Sequence, residues 1–300
     1  MMIKKTGLAP QEIDEAVANA HGRWLTTDEA RHINKVVPRY YSHTQLSLFQ
    51  KCPMAYKYRY VDGRKQAPPS ASLHVGKKAH DTLAYNNLFK IKTGRDLKAR
   101  DFIGRLEDVW KDGIKDIDWK SEKETAGAAK DSTIRMLQVY HERRAPAIKP
   151  LAAERAFLVY VPFICETPLF GYIDLEEAAC VADYKTSGSS PYSTITPADH
   201  VKHNVQLSIY AMAKYVIERK LVKKAKLEYL VRTRTPDVVP LIGTKTVEDL
   251  QRVAYLISSI DRCIKSGDFY PNTEAKMHTP NACGFWDHCH SSARMPLVGM

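Results

Sequence analysis

Nothing in the 300-residue sequence approaches the roughly 18 to 20 consecutive apolar residues that a membrane-spanning helix needs. A secretory leader is not expected either: the opening MMIKKTGLAPQEIDEAV carries acids and has no apolar core, which makes the cytoplasm the default compartment. No G-x-x-x-x-G-K-[ST] occurs, so a P-loop motor is excluded. There is no internal repeat and no low-complexity tract. Cysteine is sparse, and six in a long chain in a reducing compartment do not make a disulfide framework. Acidic residues are in deficit, with 34 Asp and Glu against 45 Lys and Arg and a formal net charge of +11. That balance favours a polyanionic partner, because each cation set on a phosphate releases condensed counterions, although charge alone does not specify nucleic acid. What remains is ordinary for a soluble globular protein: 44% hydrophobic and 26% charged residues, enough for one large domain or two small ones.

Along the chain, residues 1–40 read as a charged, helical extension, followed by one domain over 41–300. Ser42-His43-Thr44 opens an apolar-periodic run with good capping residues. Pro53 predicts a break and a new helix start. Residues of about 76–90 read as a helix, and about 96–145 as a helical insertion rich in both charges. The character changes at 152. AERAFLVYVPFI, LFGYIDLEEA and CVADYKTS are β-branched and aromatic runs separated by turns, which predicts three neighbouring strands. A helix at about 203–219, a strand at about 226–233 and a helix at about 246–265 follow, the last with Thr246 as N-cap and Gly267 past its end. The tail from about 270 to 300 is loop-like and holds His278, Cys283, Cys289 and His290. The pattern is α/β: a mixed β-sheet flanked by helices, with a mostly helical N-terminal half.

The chemistry concentrates in Gly171-Tyr172-Ile173-Asp174 and, nine residues on, Asp183-Tyr184-Lys185-Thr186. Residues two apart on a strand share a face, so Asp183 and Lys185 project together. If the two strands pair, Asp174 can lie across from Asp183. Converging carboxylates repel one another unless a hard divalent cation with oxygen ligands offsets the charge. Such a cation polarises phosphoryl oxygens and lowers the pKa of water, and a nearby lysine offsets developing negative charge. A lone D-x-K, by contrast, is usually a solvated strand edge.

Here the motif has company. Gly76-Lys77-Lys78-Ala79-His80, Asp174, Asp183/Lys185 and Gln206-Leu207-Ser208-Ile209-Tyr210 follow in that order, after Cys52-Pro53-Met54-Ala55-Tyr56. This succession resembles the RecB-like branch of the PD-(D/E)XK nucleases, including its CRISPR-associated members, over about 42–290. The resemblance implies a restriction-endonuclease-like core. It implies that His80, Asp174, Asp183 and the Tyr184 carbonyl bind Mg²⁺ or Mn²⁺, with Asp174, Asp183 and Lys185 catalytic. Gln206 and Tyr210, on one helix face, would contact DNA phosphates or hold the lysine. Glu154, at the entry to the first strand, is a further candidate carboxylate, with plain surface exposure as its alternative.

The resemblance also implies a 4Fe–4S cluster on four cysteines. Cys52 and the pair Cys283 and Cys289 match that pattern, but the remaining position, 280, is proline. His278 could take its place. The same Cys3His set could bind zinc, or the tail could pack without metal. Cys165, Cys180 and Cys263 read as core residues.

The expected activity is metal-dependent DNA cleavage, as an exonuclease on single strands or ends, in repair, recombination or phage DNA metabolism. A structure-specific endonuclease and a non-cutting DNA-binding or assembly protein are the alternatives. A homo-oligomer, or a recombination or CRISPR partner protein, is compatible with the resemblance.

Overall fold

The computed structural model describes residues 19–36, 39–120, 122–161, 164–191, 197–222, 224–280 and 282–291. Six strands form one mixed sheet in chain order: β1 (His21–Trp24), β2 (Ala152–Val161), β3 (Cys165–Glu177), β4 (Cys180–Ser187), β5 (Lys224–Val231) and β6 (Asp237–Thr244). All neighbours run antiparallel except β4 and β5, which are parallel and need a helical crossover. The three strands expected from the β-branched runs are β2, β3 and β4.

Two helical layers cover the sheet. On one face lie α3 (His43–Lys51), α9 (Val205–Glu218) and α10 (Val247–Ser266), over a core that includes Ile173, Val181 and Leu227. On the other lie α5 (Ala71–Thr93), α6 (Ala99–Trp110) and α7 (Ala126–Arg143), over Leu175, Ala182, Tyr184 and Leu230. Short helices complete the set: α1 (Thr27–Arg31), α2 (Ile33–Val36), α4 (Pro53–Tyr56), α8 (Pro197–Lys202) and α11 (Trp286–Ser291). The sequence sets their ends. Ser42 caps α3, Cys52 precedes Pro53 at the start of α4, and α5 runs from its Ser70 cap to Gly94 in the left-handed region. Thr246 and Asp249 close a capping box on α10, and Gly267, at φ 79°, ends it as expected. Among the described residues no helix is long and apolar enough to cross a membrane.

The segment before residue 41 departs from the expected helical extension. His21–Trp24 is a strand on the border of the sheet, paired to Phe157–Tyr160; residues 1–18 lie outside the described residues. Four residues carry no readable alternation, and contacts distant in sequence hold them. The Trp24 ring lies 3.7 Å below the Arg155 guanidinium, and His21 stacks on Tyr160 at 5.1 Å. A Cβ at Gly22 would come within 2.7 Å of the Leu158 carbonyl, so only glycine permits this approach. The opposite border strand, β6, is likewise absent from the sequence-based assignment. It contains Pro240, tolerated there because a border strand leaves alternate N–H groups unpaired. Helix α8 presses on it so closely that a Cβ at Gly243 would meet Val201 at 2.8 Å. The tail also holds a short helix, α11, where a loop was expected; residues 292–300 lie outside the described residues.

Candidate active site

The β3–β4 ladder stops at Leu175–Ala182, one rung short of Asp174 and Asp183. Around that rung the sheet's regular alternation is broken. Ile173 packs into one core and Leu175, two residues on, into the other. Opposite, Glu154 has φ 49°, a left-handed conformation uncommon for a residue with a side chain. The result is a notch between β2, β3 and β4 into which helices from both layers reach.

Two glycines let those elements come close. A Cβ at Gly171 would sit 2.8 Å from the Phe157 ring, which packs over this position from its partner strand. A Cβ at Gly76 would meet Thr186 Oγ1 at 3.2 Å, so glycine lets α5 lie tight on β4. That approach delivers His80, whose Nδ1 lies 3.2 Å from Asp174 Oδ2.

Asp174 is buried and fully engaged. Its Oδ2 also accepts the Tyr184 N–H at 3.0 Å, and its Oδ1 accepts the Tyr210 hydroxyl at 3.1 Å. From there a chain of hydrogen bonds runs back to the lysine. Gln206 Nε2 donates to the Tyr210 hydroxyl at 2.8 Å, and Lys185 Nζ donates to Gln206 Oε1 at 2.7 Å. Helix α9, capped by Asn204, thus fixes both the aspartate and the lysine. Gln206 touches the lysine directly, as one of the two roles expected for this pair requires. Tyr210 is buried with its proton given to Asp174, which leaves its hydroxyl no donor for a DNA phosphate.

Asp183 has 0% of its surface exposed, and neither carboxylate oxygen receives a hydrogen bond in line. Lys185 Nζ lies 2.6 Å from Oδ2 as a charge partner. A buried carboxylate left in this state costs free energy unless something else satisfies it. Burial and the adjacent Asp174 charge raise its pKa. Burial works the same way on Asp174, but His80, the Tyr184 N–H and Lys185 outweigh it and hold that carboxyl below its ordinary value. Burial alone would lower the His80 pKa; hydrogen bonding to Asp174 and the neighbouring carboxylates raise it instead.

His80, Glu154 and Asp174 each offer a ligand atom within 4.8 Å of the others, the one such group among the described residues. Glu154, although much of the residue faces solvent, is therefore brought into the site. Desolvation of its carboxyl and the Asp174 charge push it up to about 7. Asp183 stands beside this triad, outside its 4.8 Å circle. The Tyr184 N–H also reaches the site, donating to Asp174. Carboxylates with one imidazole, next to a buried carboxylate lacking donors, are a donor set that fits a hard divalent cation.

Two features had no signal in sequence. The Tyr184 hydroxyl meets the Tyr140 hydroxyl at 3.0 Å and accepts from Asn87 Nδ2 at 3.0 Å, tying α5 and α7 to β4. His43, in the first turn of α3, is kept neutral by burial and by the Lys185 charge, its pKa lowered to about 4.

At the far end of α3, Cys52, His278, Cys283, Cys289 and His290 line one cavity, walled by Phe285 and Trp286. All three thiols are free. Main-chain bonds from Met54 N to Tyr270 O at 3.0 Å and from Ala67 N to Gly284 O at 3.2 Å hold the tail there. The expected set thus gathers in space, and His290, stacked on Trp286 at 3.7 Å, joins it. These groups do not converge to within 4.8 Å as the acidic triad does. A single tetrahedral zinc, with Zn–S near roughly 2.3 Å, would require such convergence.

Among solved structures, a protein from Eubacterium rectale named as a candidate exonuclease superposes with a TM-score of 0.58 at 13% identity, covering 92% of this chain and 96% of its own. The structure of SSO0001, also 13% identical, covers 78% of this chain and 92% of its own, but its TM-score of 0.31 carries no argument. The first likeness shows a shared fold. No curated protein is recognisably similar in sequence. The sequence profile of the PD-(D/E)XK nuclease superfamily matches residues 40–290, spanning the notch and every side chain that builds it, and the chain belongs to that superfamily.

Proposed function

We propose that the protein is a divalent-metal-dependent deoxyribonuclease that acts as an exonuclease on single-stranded DNA or DNA ends. The observation that carries this reading is the buried Asp183 carboxylate, with no aligned donor on either oxygen, beside the His80–Glu154–Asp174 triad and one lysine held by Gln206. His80, Glu154, Asp174 and Asp183 would hold Mg²⁺ or Mn²⁺, which supplies a polarised phosphoryl oxygen and water of lowered pKa. Lys185, 34% exposed at its side chain, places its ammonium at the mouth of the notch to offset charge developing on the phosphate. Gln206 and Tyr210 keep that ammonium and Asp174 in register. The net charge of +11 suits a nucleic-acid substrate. The exonuclease preference is supported by the RecB-like motif order and by the name of the Eubacterium rectale protein.

The decisive experiment offers end-labelled linear and circular single-stranded DNA with Mg²⁺, Mn²⁺ or EDTA to wild type and Asp183→Ala. Metal-dependent loss of linear DNA alone, absent in the variant, is expected. Attack on circles would make the enzyme an endonuclease, and no cleavage of either would leave a non-cutting binder.

Cys52, Cys283, Cys289 and His278 would hold an iron–sulfur cluster that staples the tail to α3 and α4. The preference for a cluster is supported by the resemblance to the RecB-like nucleases and by the one cavity that these residues line. Anaerobically purified protein is expected to carry iron and visible absorption, both lost in Cys283→Ser; stoichiometric zinc without iron would overturn this assignment.

A further inference from the structure

Tyr172 stands next to the triad and has no part in it. It lies on β3 opposite Ala156, two residues from Asp174, just as Glu154 lies two residues from Ala156 on β2. The ring is therefore set about 7 Å along the strands from the acidic rung, the rise of two strand residues. Ala156 has no side chain beyond its Cβ with which to cover it. Phe170, the previous residue on that face, is 8% exposed, whereas Tyr172 is 38% exposed.

The ring is nevertheless held in place. Its neighbour Phe170 meets it edge-on at 5.4 Å, and Phe170 in turn is met edge-on by Tyr40 at 5.1 Å. Phe170 is packed with Ala156, Leu158, Leu25, Ala30 and Ile33 in a small core beneath β1, α1 and α2. This backing comes largely from the segment before residue 40, outside the part of the chain that matches the superfamily. Helix α1 also brings a cation: the Arg31 charge reaches the Tyr172 phenol, as does that of Glu154. Arg31 itself is 69% exposed, its ion pair with Asp28 long at 3.4 Å.

A rigid, half-exposed aromatic face beside a phosphate-cleaving centre, with a solvent-facing guanidinium close by, has the chemistry of a nucleotide subsite. We propose that Tyr172 is the platform on which the nucleobase flanking the scissile phosphate stacks, with Arg31 taking a neighbouring phosphate. The platform suits single strands, whose unpaired bases are free to lay a π-face on the ring, whereas the interior pairs of a duplex have both faces covered. The proposal rests on the nuclease reading and gives it a substrate form, which the acidic triad alone does not.

The test combines enzyme and substrate truncation. Tyr172→Ala and Tyr172→Phe are assayed on a single-stranded oligonucleotide and on versions in which one abasic nucleotide is moved stepwise along the strand. Removing a stacking partner is worth roughly 5- to 150-fold, so Tyr172→Ala is expected to raise KM by that order with kcat little changed. Tyr172→Phe, which keeps the ring, should match wild type. At one abasic position wild type should lose as much as Tyr172→Ala loses on intact DNA, and the two losses together should not multiply. Equal KM for Tyr172→Ala and wild type overturns the platform, as do losses that multiply at every position. In either case undiminished wild-type cleavage leaves the nuclease reading standing. Absence of metal-dependent cleavage by wild type overturns both. If Tyr172→Ala does not fold, Tyr172→Phe and the abasic scan of wild type still decide, since a platform requires one position of marked sensitivity.

Discussion

Strands β3, β4 and β5 bury two sets of carboxylates and treat them differently. Toward the β3–β4 turn, Glu176 faces Lys214 at 2.6 Å and Arg155 at 3.4 Å, and Glu177 pairs with Lys226. On β5, Glu228 takes a two-pronged grip from Arg144, at 2.9 and 2.5 Å. Only Glu176 Oε1 is left in that set without a donor. In the other set Asp174 and Asp183 share Lys185, Asp174 has His80 as well, and both oxygens of Asp183 lack an aligned donor. Burial alone therefore does not set a carboxylate apart; burial with both oxygens short of an aligned donor does. One set is made of completed ion pairs, and the other leaves Asp183 with oxygens that the chain does not satisfy.

The sharpest way to break this contrast is to neutralise one carboxylate in each set. Asp183→Asn is expected to cut the rate of DNA cleavage by a factor on the order of 10³, the equivalent of several kcal/mol of lost charge stabilisation, without lowering the metal-free melting temperature. Glu228→Gln, one rung away on β5, should do the reverse. Leaving Arg144 without its partner costs about 3–5 kcal/mol of stability, while the remaining folded enzyme cuts normally. Cleavage assays beside thermal melts decide. A strongly destabilised but active Asp183→Asn protein would put the two sets in the same class.

A pH series sharpens the comparison at smaller scale. Glu154, raised to about 7, and Asp183, raised by burial, hold their protons to higher pH in the folded than in the unfolded chain. Their contribution to metal-free stability therefore falls as pH rises from about 4 to about 7, where the unfolded chain has already released those protons. A divalent cation, which needs both groups ionised, should offset the fall and bind more tightly as pH rises. Urea midpoints across that window, with and without Mg²⁺, check this. Glu154→Gln should flatten the metal-free slope, and an unchanged slope would remove Glu154 from the site.

The smallest effect concerns the neutral network around the Tyr184 hydroxyl. Tyr184→Phe removes the hydroxyl shared by Tyr140 and Asn87 and should cost about 1 kcal/mol of stability. A modest loss of metal affinity is expected with it, because α5, which carries His80, is tied to β4 through that bond. Calorimetric titration with Mn²⁺ would show whether the tie matters to the metal or to the fold alone.

Much of this arrangement was legible in sequence because it rests on local chemistry. Alternation over 152–187 gave β2, β3 and β4, and Thr246, Asp249 and Gly267 mark the ends of α10 through backbone capping. The order of His80, Asp174, Asp183, Lys185 and Gln206 pointed to a common site. What stayed hidden depends on distance. Strand β1 is four residues held by Arg155 and Tyr160, and no periodicity could announce it. Pro240 disguised β6. The bonding of Tyr184 to Tyr140 and Asn87 joins residues 44 and 97 positions apart in the chain. Glu154 was readable as a candidate, but its left-handed backbone and its place in the triad follow from the broken rung opposite Asp174.

The borders of the sheet have a bearing on how the molecule keeps company with its own kind. An open strand border offers a row of unpaired amides on which a second chain can lay itself, the first step toward fibres. Here one border is β1, four residues long, and the other is β6, where Pro240 withholds a donor and α8 is pressed close. A stray strand finds too little to grip at either. Among the described residues, both borders are thus poor templates for strand addition.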